Sequence, residues 1–300
     1  LRKLHGNDHV VITDLRDDIH KDLIESGPFY KLDCRDGRAL SDIVTKHKID
    51  TIYHLAALLS AVAEANPQKA WDVNINGLTA VLEVAREEKC AVFTPSSIGA
   101  FGPSTPPNQT PQDTIQRPTS IYGVTKVAGE LLCDYYYSRF GVDTRGVRYP
   151  GIISNVTLPG GGTTDYAVDI YYEAVKQQKY ECFLDADTHL DMMYMPDAIK
   201  AAIDVMEADP AKLIHRNAFN VTAMSFAPKD QAESIKKYMP EFEITYNVDP
   251  VRQAIADSWP NKMDSSAARN EWHWNPTYDL DAMTQDMLTV LKEKHVNGLI

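Results

Sequence analysis

Through its first half the sequence alternates short β-branched runs with helical stretches, and this alternation limits the fold more than any other feature. "HVVITD" (His9–Asp14), "FYKLD" (Phe29–Asp33), "IDTIYHLAA" (Ile49–Ala57), "CAVFTPSS" (Cys90–Ser97) and "VDTRGVRYPG" (Val142–Gly151) read as strands. Residues 37–47, 66–89 and 121–140 carry helical periodicity between them. Such repetition predicts an α/β fold, a doubly wound parallel sheet with helices on both faces. Ligands of such sheets sit beyond the carboxyl ends of the strands, so the residues just after each run are the candidates for chemistry. After Gly151 the pattern loosens, and three of the four tryptophans (Trp259, Trp272 and Trp274) fall in loop-like surroundings. A second, smaller, discontinuous lobe covering the ligand edge is expected there.

Composition narrows the function classes. With 300 residues and 44% hydrophobic content the chain can bury a full core. A charged fraction of 24% and the lack of any apolar run of span length predict a soluble globular protein. The net charge of -12 argues against nucleic acid or an anionic membrane as the main partner. Cys34, Cys90, Cys133 and Cys182 are scattered, with no C-x-x-C spacing, and read as reduced thiols of an intracellular protein. The nine histidines include no H-E-x-x-H or similar cluster, so no metal site is expected. The N-terminus has no signal-peptide h-region and no Arg/Ser-rich transit pattern.

The densest local signal is "RPTSIYGVTKVAGELLCDYYYSRFG" (Arg117–Gly141). Thr119 or Ser120 can cap a helix that Gly141 ends. Tyr122 and Lys126 stand one turn apart on one side of it. Tyr172 and Lys176 repeat the spacing, but no strand with a hydroxyl-rich end precedes them, and that match is read as chance. Before Tyr122 comes a strand ending in Ser96 and Ser97. A phenol, an ammonium and a hydroxyl at one sheet edge suit hydride chemistry, in which the phenol takes a proton from a substrate alcohol. A free phenol titrates near ~10, so a neighbouring cation is expected to lower it.

The order "VVITD", "KLDCRD", "YHLAA", "DVNINGL", "FTPSSIGAFG", "YGVTK" and "VRYPGIIS" resembles the extended short-chain dehydrogenases, the relatives of UDP-galactose 4-epimerase. Within them, "RYPGIIS", "PGGGTTDYAVDIYYEA", "DMMYMPDA" and "DSWPNKMDSSAARNEWHW" resemble the L-threonine 3-dehydrogenases. The resemblance covers nearly the whole chain. It implies NAD as cofactor, L-threonine as substrate and 2-amino-3-oxobutyrate as product. Residues 1–151 and 182–224 would form the NAD-binding, Rossmann-type domain, and 152–181 with 225–300 the substrate lobe. Tyr122 would be the base, Lys126 its modulator and ribose ligand, and Ser97 the hydroxyl partner. Asp14 would hold the adenosine ribose and favour NAD over NADP, with Arg16 nearby weakening that preference. Asp33 would lie near the adenine, Leu55, Ala56 and Ala57 would line the cofactor, Asn74 would support the site from beneath, and Tyr149 to Gly151 would flank the nicotinamide. Ser60, Ser97, Thr163, Thr164 and Asp165 match the substrate pocket, with Trp259 a candidate cap. Helices 66–89 and 121–140 carry more apolar surface than one sheet face needs, in Trp71, Val81, Val84, Leu131, Tyr135, Tyr136 and Tyr137, so a homodimer through them is expected, as the resemblance also implies. A cytoplasmic location is expected, or the mitochondrial matrix in a eukaryote.

The family's G-x-x-G-x-x-G loop belongs upstream of "VVITD", and this chain begins in what reads as the end of the helix after that loop. The triple glycine Gly160–Gly162 comes too late to replace it. Two further readings therefore stay open beside the dehydrogenase: a nucleotide-sugar epimerase or dehydratase on the same scaffold, and a catalytically impaired dinucleotide-binding protein.

Overall fold

The β-branched runs of the first half pair side by side as parallel strands; the helices Gly37–His47, Gly77–Glu88 and Ile121–Phe140 pack together on one face, and Met195–Glu207 with Ser266–Trp272 covers the other. The computed structural model describes residues 1–300 apart from 157 and 159–161. In chain order its strands are β1 (Ile12–Asp14), β2 (Phe29–Lys31), β3 (Thr51–Tyr53), β4 (Ala91–Ser97), β5 (Asn108–Thr110), β6 (Thr144–Tyr149), β7 (Gly151–Ile153), β8 (Lys179–Cys182), β9 (Leu190–Tyr194), β10 (Phe219–Asn220), β11 (Met224–Phe226), β12 (Glu243–Tyr246) and β13 (Lys262–Met263). The central parallel sheet runs β10-β6-β4-β3, and β1 pairs with β2, also parallel. Successive side chains of β4 point to opposite faces. Val92 joins Leu78, Leu82 and Tyr136 on one face, and Phe93 joins Ala201, Phe219 and Trp274 on the other. This is the expected doubly wound arrangement.

Several strands are shorter than their runs predict. His9 lies in a 3-10 turn (Asn7–His9) and β1 starts only at Ile12. Among the described residues β1 and β3 each find one strand partner, and each pairs with it over three residues. The helix over Ile121–Phe140 keeps both predicted ends. Ser120 Oγ accepts from Gly123 N at 3.0 Å, and Gly141 closes it in the left-handed region at φ 72°. The stretch 66–89 is not one uniform helix. Pro67–Trp71 passes into a wider π-turn at Asp72–Asn76 before Gly77–Glu88 resumes the α spacing. Such turns insert a residue and rotate the side chains around it.

The remaining elements build a second core. Helices Tyr166–Gln177, Pro228–Lys236 and Leu280–Val296 enclose a cluster including Tyr166, Tyr171, Leu190, Met192 and Met287. β7, β9 and β11 form its small mixed sheet. Packing crosses the expected lobe boundaries in both directions. Leu184, Leu190 and Tyr194 belong to this second core, whereas Ala268, Trp272 and Trp274 pack on the central sheet. Among the described residues no helix is long and apolar enough to cross a membrane.

Candidate active site

Parallel pairing of β4 with β6 sets Ser96 beside Arg148 and Ser97 beside Tyr149 at the carboxyl edge of the sheet. Ser97 Oγ accepts from Gly99 N at 3.1 Å and caps the turn Ile98–Ala100. The helix Ile121–Phe140 docks on that turn through Gly123. A Cβ there would lie 2.2 Å from the Gly99 carbonyl oxygen, so any larger residue would push the helix away. On the turn's side, Gly99 leaves room for Tyr122, whose ring carbons sit 3.3 Å from where a Cβ would be. The two glycines thus press the phenol against the serine turn.

The electrostatics differ from the expected lowered phenol. Burial pushes the Tyr122 hydroxyl up, and its hydrogen bond with Ser97 opposes that rise. Lys126 Nζ lies 5.4 Å from the Tyr122 ring centroid and donates to the Pro95 carbonyl at 2.7 Å. Burial pulls Lys126 itself down to about 8, with Glu130 acting in the other direction. Desolvation therefore acts on both groups at once, raising the phenol and lowering the ammonium.

Asn74 lies in the π-turn and points inward. Its Oδ1 accepts from Leu58 N at 2.7 Å, while Nδ2 donates to the Leu58 carbonyl at 3.1 Å and to Thr125 Oγ1 at 3.0 Å. One amide thereby fastens the loop after β3 to the helix that carries Tyr122 and Lys126. Leu55, Ala56, Ala57 and Asn74 border a single crevice together with Lys126 and His54. Asp14, at the end of β1, accepts from Arg16 N at 2.9 Å and from its Nη2 at 3.1 Å. Asp33, beyond β2, is gripped by Arg35, whose hydrogen bonds hold its carboxyl down at about 2. Tyr149 donates its hydroxyl to the Ala198 carbonyl at 2.6 Å, so its phenol is committed to the helix Met195–Glu207.

The loop of the second lobe meets the sheet at Gly151. A Cβ on Gly151 would approach Met192 Sδ to 2.4 Å and Thr164 Cγ2 to 2.9 Å. Thr163 is buried and Thr164 half-buried, and Asp165 Oδ2 accepts from Gly162 N at 2.6 Å. Gly160 and Gly161 lie outside the described residues. Ser60 starts a separate short helix, Ser60–Ala65, reached through the loop that Asn74 holds. Trp259 packs beside Ile98, Phe101 and Met263, directly behind the Ser97 turn. The alternative pair, Tyr172 and Lys176, belongs to the second core: Tyr172 is buried there and Lys176 stacks over its ring.

Gly99, Gly123, Glu130 and Arg148 are absent from the residues that the sequence nominates for the site. A polar residue one turn beyond Lys126 and an arginine inside an apolar strand were their only signals.

The comparisons agree with this geometry. The family model described as GDP-mannose 4,6 dehydratase matches residues 5–287. An uncharacterized epimerase/dehydratase of Staphylococcus saprophyticus is 58% identical over 293 residues, covering 98% of this chain and 92% of its own. A solved L-threonine dehydrogenase from Clostridium difficile is 59% identical with a TM-score of 0.96, covering 98% of this chain and 92% of that one. Another, from Phytophthora infestans, is 49% identical with a TM-score of 0.93 over 98% and 93% of the two chains. The chain belongs to this epimerase/dehydratase family, the epimerase-like branch of the extended short-chain dehydrogenases.

Proposed function

We propose that this protein oxidises L-threonine to 2-amino-3-oxobutyrate with NAD. The single observation that carries the chemistry is the half-buried Ser97–Tyr122 hydroxyl pair beside Lys126, set at the carboxyl edge of the sheet. Tyr122 takes the proton of the threonine hydroxyl, Ser97 orients that oxygen, and Lys126 supplies the positive charge that makes the phenolate accessible. NAD, held at this strand edge, would supply the acceptor for the hydride of the carbon that bears the hydroxyl. The donor set suits that group: Asp14 offers a carboxylate to ribose hydroxyls, and small Ala56 and Ala57 allow close approach at the strand end. Arg16 pairs with Asp14 at an exposed position, where it can swing away.

The substrate assignment rests on the likeness to solved L-threonine dehydrogenases and on the loop at Gly151. In this reading Thr163, Thr164 and Ser60 serve the carboxylate and hydroxyl, and Asp165 the ammonium. Asp165→Asn is expected to raise the threonine KM by about one to two powers of ten while NAD binding stays unchanged, the cost of one charge-assisted contact. Steady-state kinetics with threonine, and with UDP-sugars in parallel, check both the site and the substrate. An unchanged KM removes Asp165 from the pocket. Sugar turnover without threonine turnover selects the epimerase reading, which the names of the staphylococcal relatives favour.

The surface of the helix Ile121–Phe140 supports a homodimer. Val124, Leu131 and Tyr135 form an exposed apolar stripe on it, with Trp71 exposed on the adjoining helix. Tyr137 is half-exposed beneath the Arg216 guanidinium. Val81, Val84 and Tyr136, also expected at the interface, instead fill the protein's own core. A two-fold contact uses the stripe twice, so Leu131→Arg places two charges at its centre. Light scattering is expected to show a dimer for the parent and a monomer for Leu131→Arg, and a monomeric parent refutes the interface.

A further inference from the structure

Glu130 stands one helical turn beyond Lys126, and its carboxylate is almost wholly buried, with 7% exposure. Burying a carboxylate is costly unless its oxygens are occupied, and here every partner comes from a segment of the reaction centre. Arg148 donates from Nε at 3.1 Å and from Nη2 at 2.9 Å. Gln116 Nε2 donates at 2.7 Å, and the Ser96 hydroxyl donates to the other oxygen. Arg148 also donates from Nη1 to the Gln112 carbonyl at 2.8 Å and to Asn220 Oδ1 at 3.0 Å. Ser96 immediately precedes Ser97, Arg148 precedes Tyr149, and Gln116 lies on the loop that leads into the Tyr122 helix.

We propose that Glu130 is a positioning residue for the reaction, a buried hub that holds the Ser97 and Tyr149 strand ends against the Tyr122 helix, with its carboxylate one helical turn from the Lys126 ammonium that it stabilises. The inference rests on the dehydrogenase reading for its kinetic consequences, and on the hydrogen bonds of Glu130 together with its electrostatic effect on Lys126 for the rest.

The other groups facing Lys126 cannot take over that charge. His54, from the end of β3, is pushed down to about 4 by burial and by Lys126 itself, so it is neutral. Cys133, a further turn along the helix, is pushed up by burial and stays a thiol. Tyr122 is neutral before reaction, and Asp134 acts on Cys133 while its carboxylate accepts from Asn217 Nδ2 at 2.9 Å. Losing the carboxylate therefore removes the one anion that acts on the Lys126 ammonium from one turn away and leaves the Arg148 guanidinium without its counter-charge, which favours release of the proton from Lys126.

Two variants test this. In Glu130→Gln the titration midpoint of Lys126 is expected to fall by about one pH unit or more. It would be followed by the NMR signal of labelled lysine side chains and assigned with Lys126→Met. The acid limb of kcat/KM should move down with it, and turnover should fall on the order of a hundredfold through misplacement of the hydroxyls. Should Glu130→Gln fail to fold, Glu130→Leu combined with Arg148→Met replaces the buried pair by apolar groups, a change that buried pairs tolerate. Its Lys126 midpoint should lie below that of the parent, because the carboxylate is gone. A midpoint unchanged from the parent, in either folded variant, overturns the proposal. A parent inert toward threonine defeats the proposed function instead, and the lysine titration still decides the role of Glu130.

Discussion

Tyr122→Phe is expected to lower threonine turnover by about two to four orders of magnitude, the range that a positioned proton acceptor contributes. The substitution removes one oxygen from a ring already wedged beside Gly99, so the fold and the NAD affinity should stay as they are. The pH profile carries a second test. Desolvation raises the phenol and lowers the ammonium, so the pair gives up its first proton near the position of Lys126, about 8. In a coupled pair that proton belongs to neither residue alone. The reactive form is the one with the phenol ionised and the lysine charged, and kcat/KM should rise through that region as pH increases. Lys126→Met should push the limb upward, because a lone buried phenol has only desolvation acting on it. Turnover of Tyr122→Phe within a few-fold of the parent would remove the tyrosine from the mechanism.

Trp274→Ala is expected to cost about 3–5 kcal/mol of stability, among the largest losses that a single substitution in this core can produce. Trp274 is 1% exposed and stacks at a tilt on Trp272, with ring centroids 5.5 Å apart. Its Nε1 donates to the Thr222 carbonyl at 3.1 Å, so truncation leaves a cavity and an unpaired buried acceptor together. Urea unfolding measures the loss. Activity per folded molecule should survive, since the indole packs on the sheet face with Phe219 and Ala201 and takes no part in the Ser97–Tyr122 pair. A loss below about 1 kcal/mol would mean that the core closes over the cavity, contrary to this packing.

The contrast between these residues shows which parts of the molecule can be read from sequence. The ends of the Tyr122 helix were legible because Ser120 and Gly141 act within one turn of the bonds they satisfy. The parallel sheet was legible from periodicity. Local rules could not place the π-turn, since it exists to aim Asn74 at Leu58 and Thr125, partners 16 and 51 residues away. The same limit hid Glu130, whose partners arrive from two strands and a loop. It also misdirected Val81, Val84 and Tyr136: an apolar face with helical spacing does not reveal whether its neighbour is the same chain or another copy. The burial of the phenol was equally hidden, because it depends on segments that only the fold brings around it.

The docking of Gly123 on Gly99 has a consequence for how such an enzyme could change its substrate over evolutionary time. With no side chain between helix and turn, the distance from phenol to serine has almost no adjustable range, and neighbouring substitutions cannot shift it gradually. Variation that preserves hydride transfer must then accumulate elsewhere. The segment from Gly162 to Asp165 meets this frame at Gly151 and lies outside the Gly99–Gly123 contact, so it can be rewritten without disturbing that contact. A scaffold divided in this way keeps one reaction while its specificity drifts, which accounts for a single family whose members bear the names of dehydratases, epimerases and a threonine dehydrogenase.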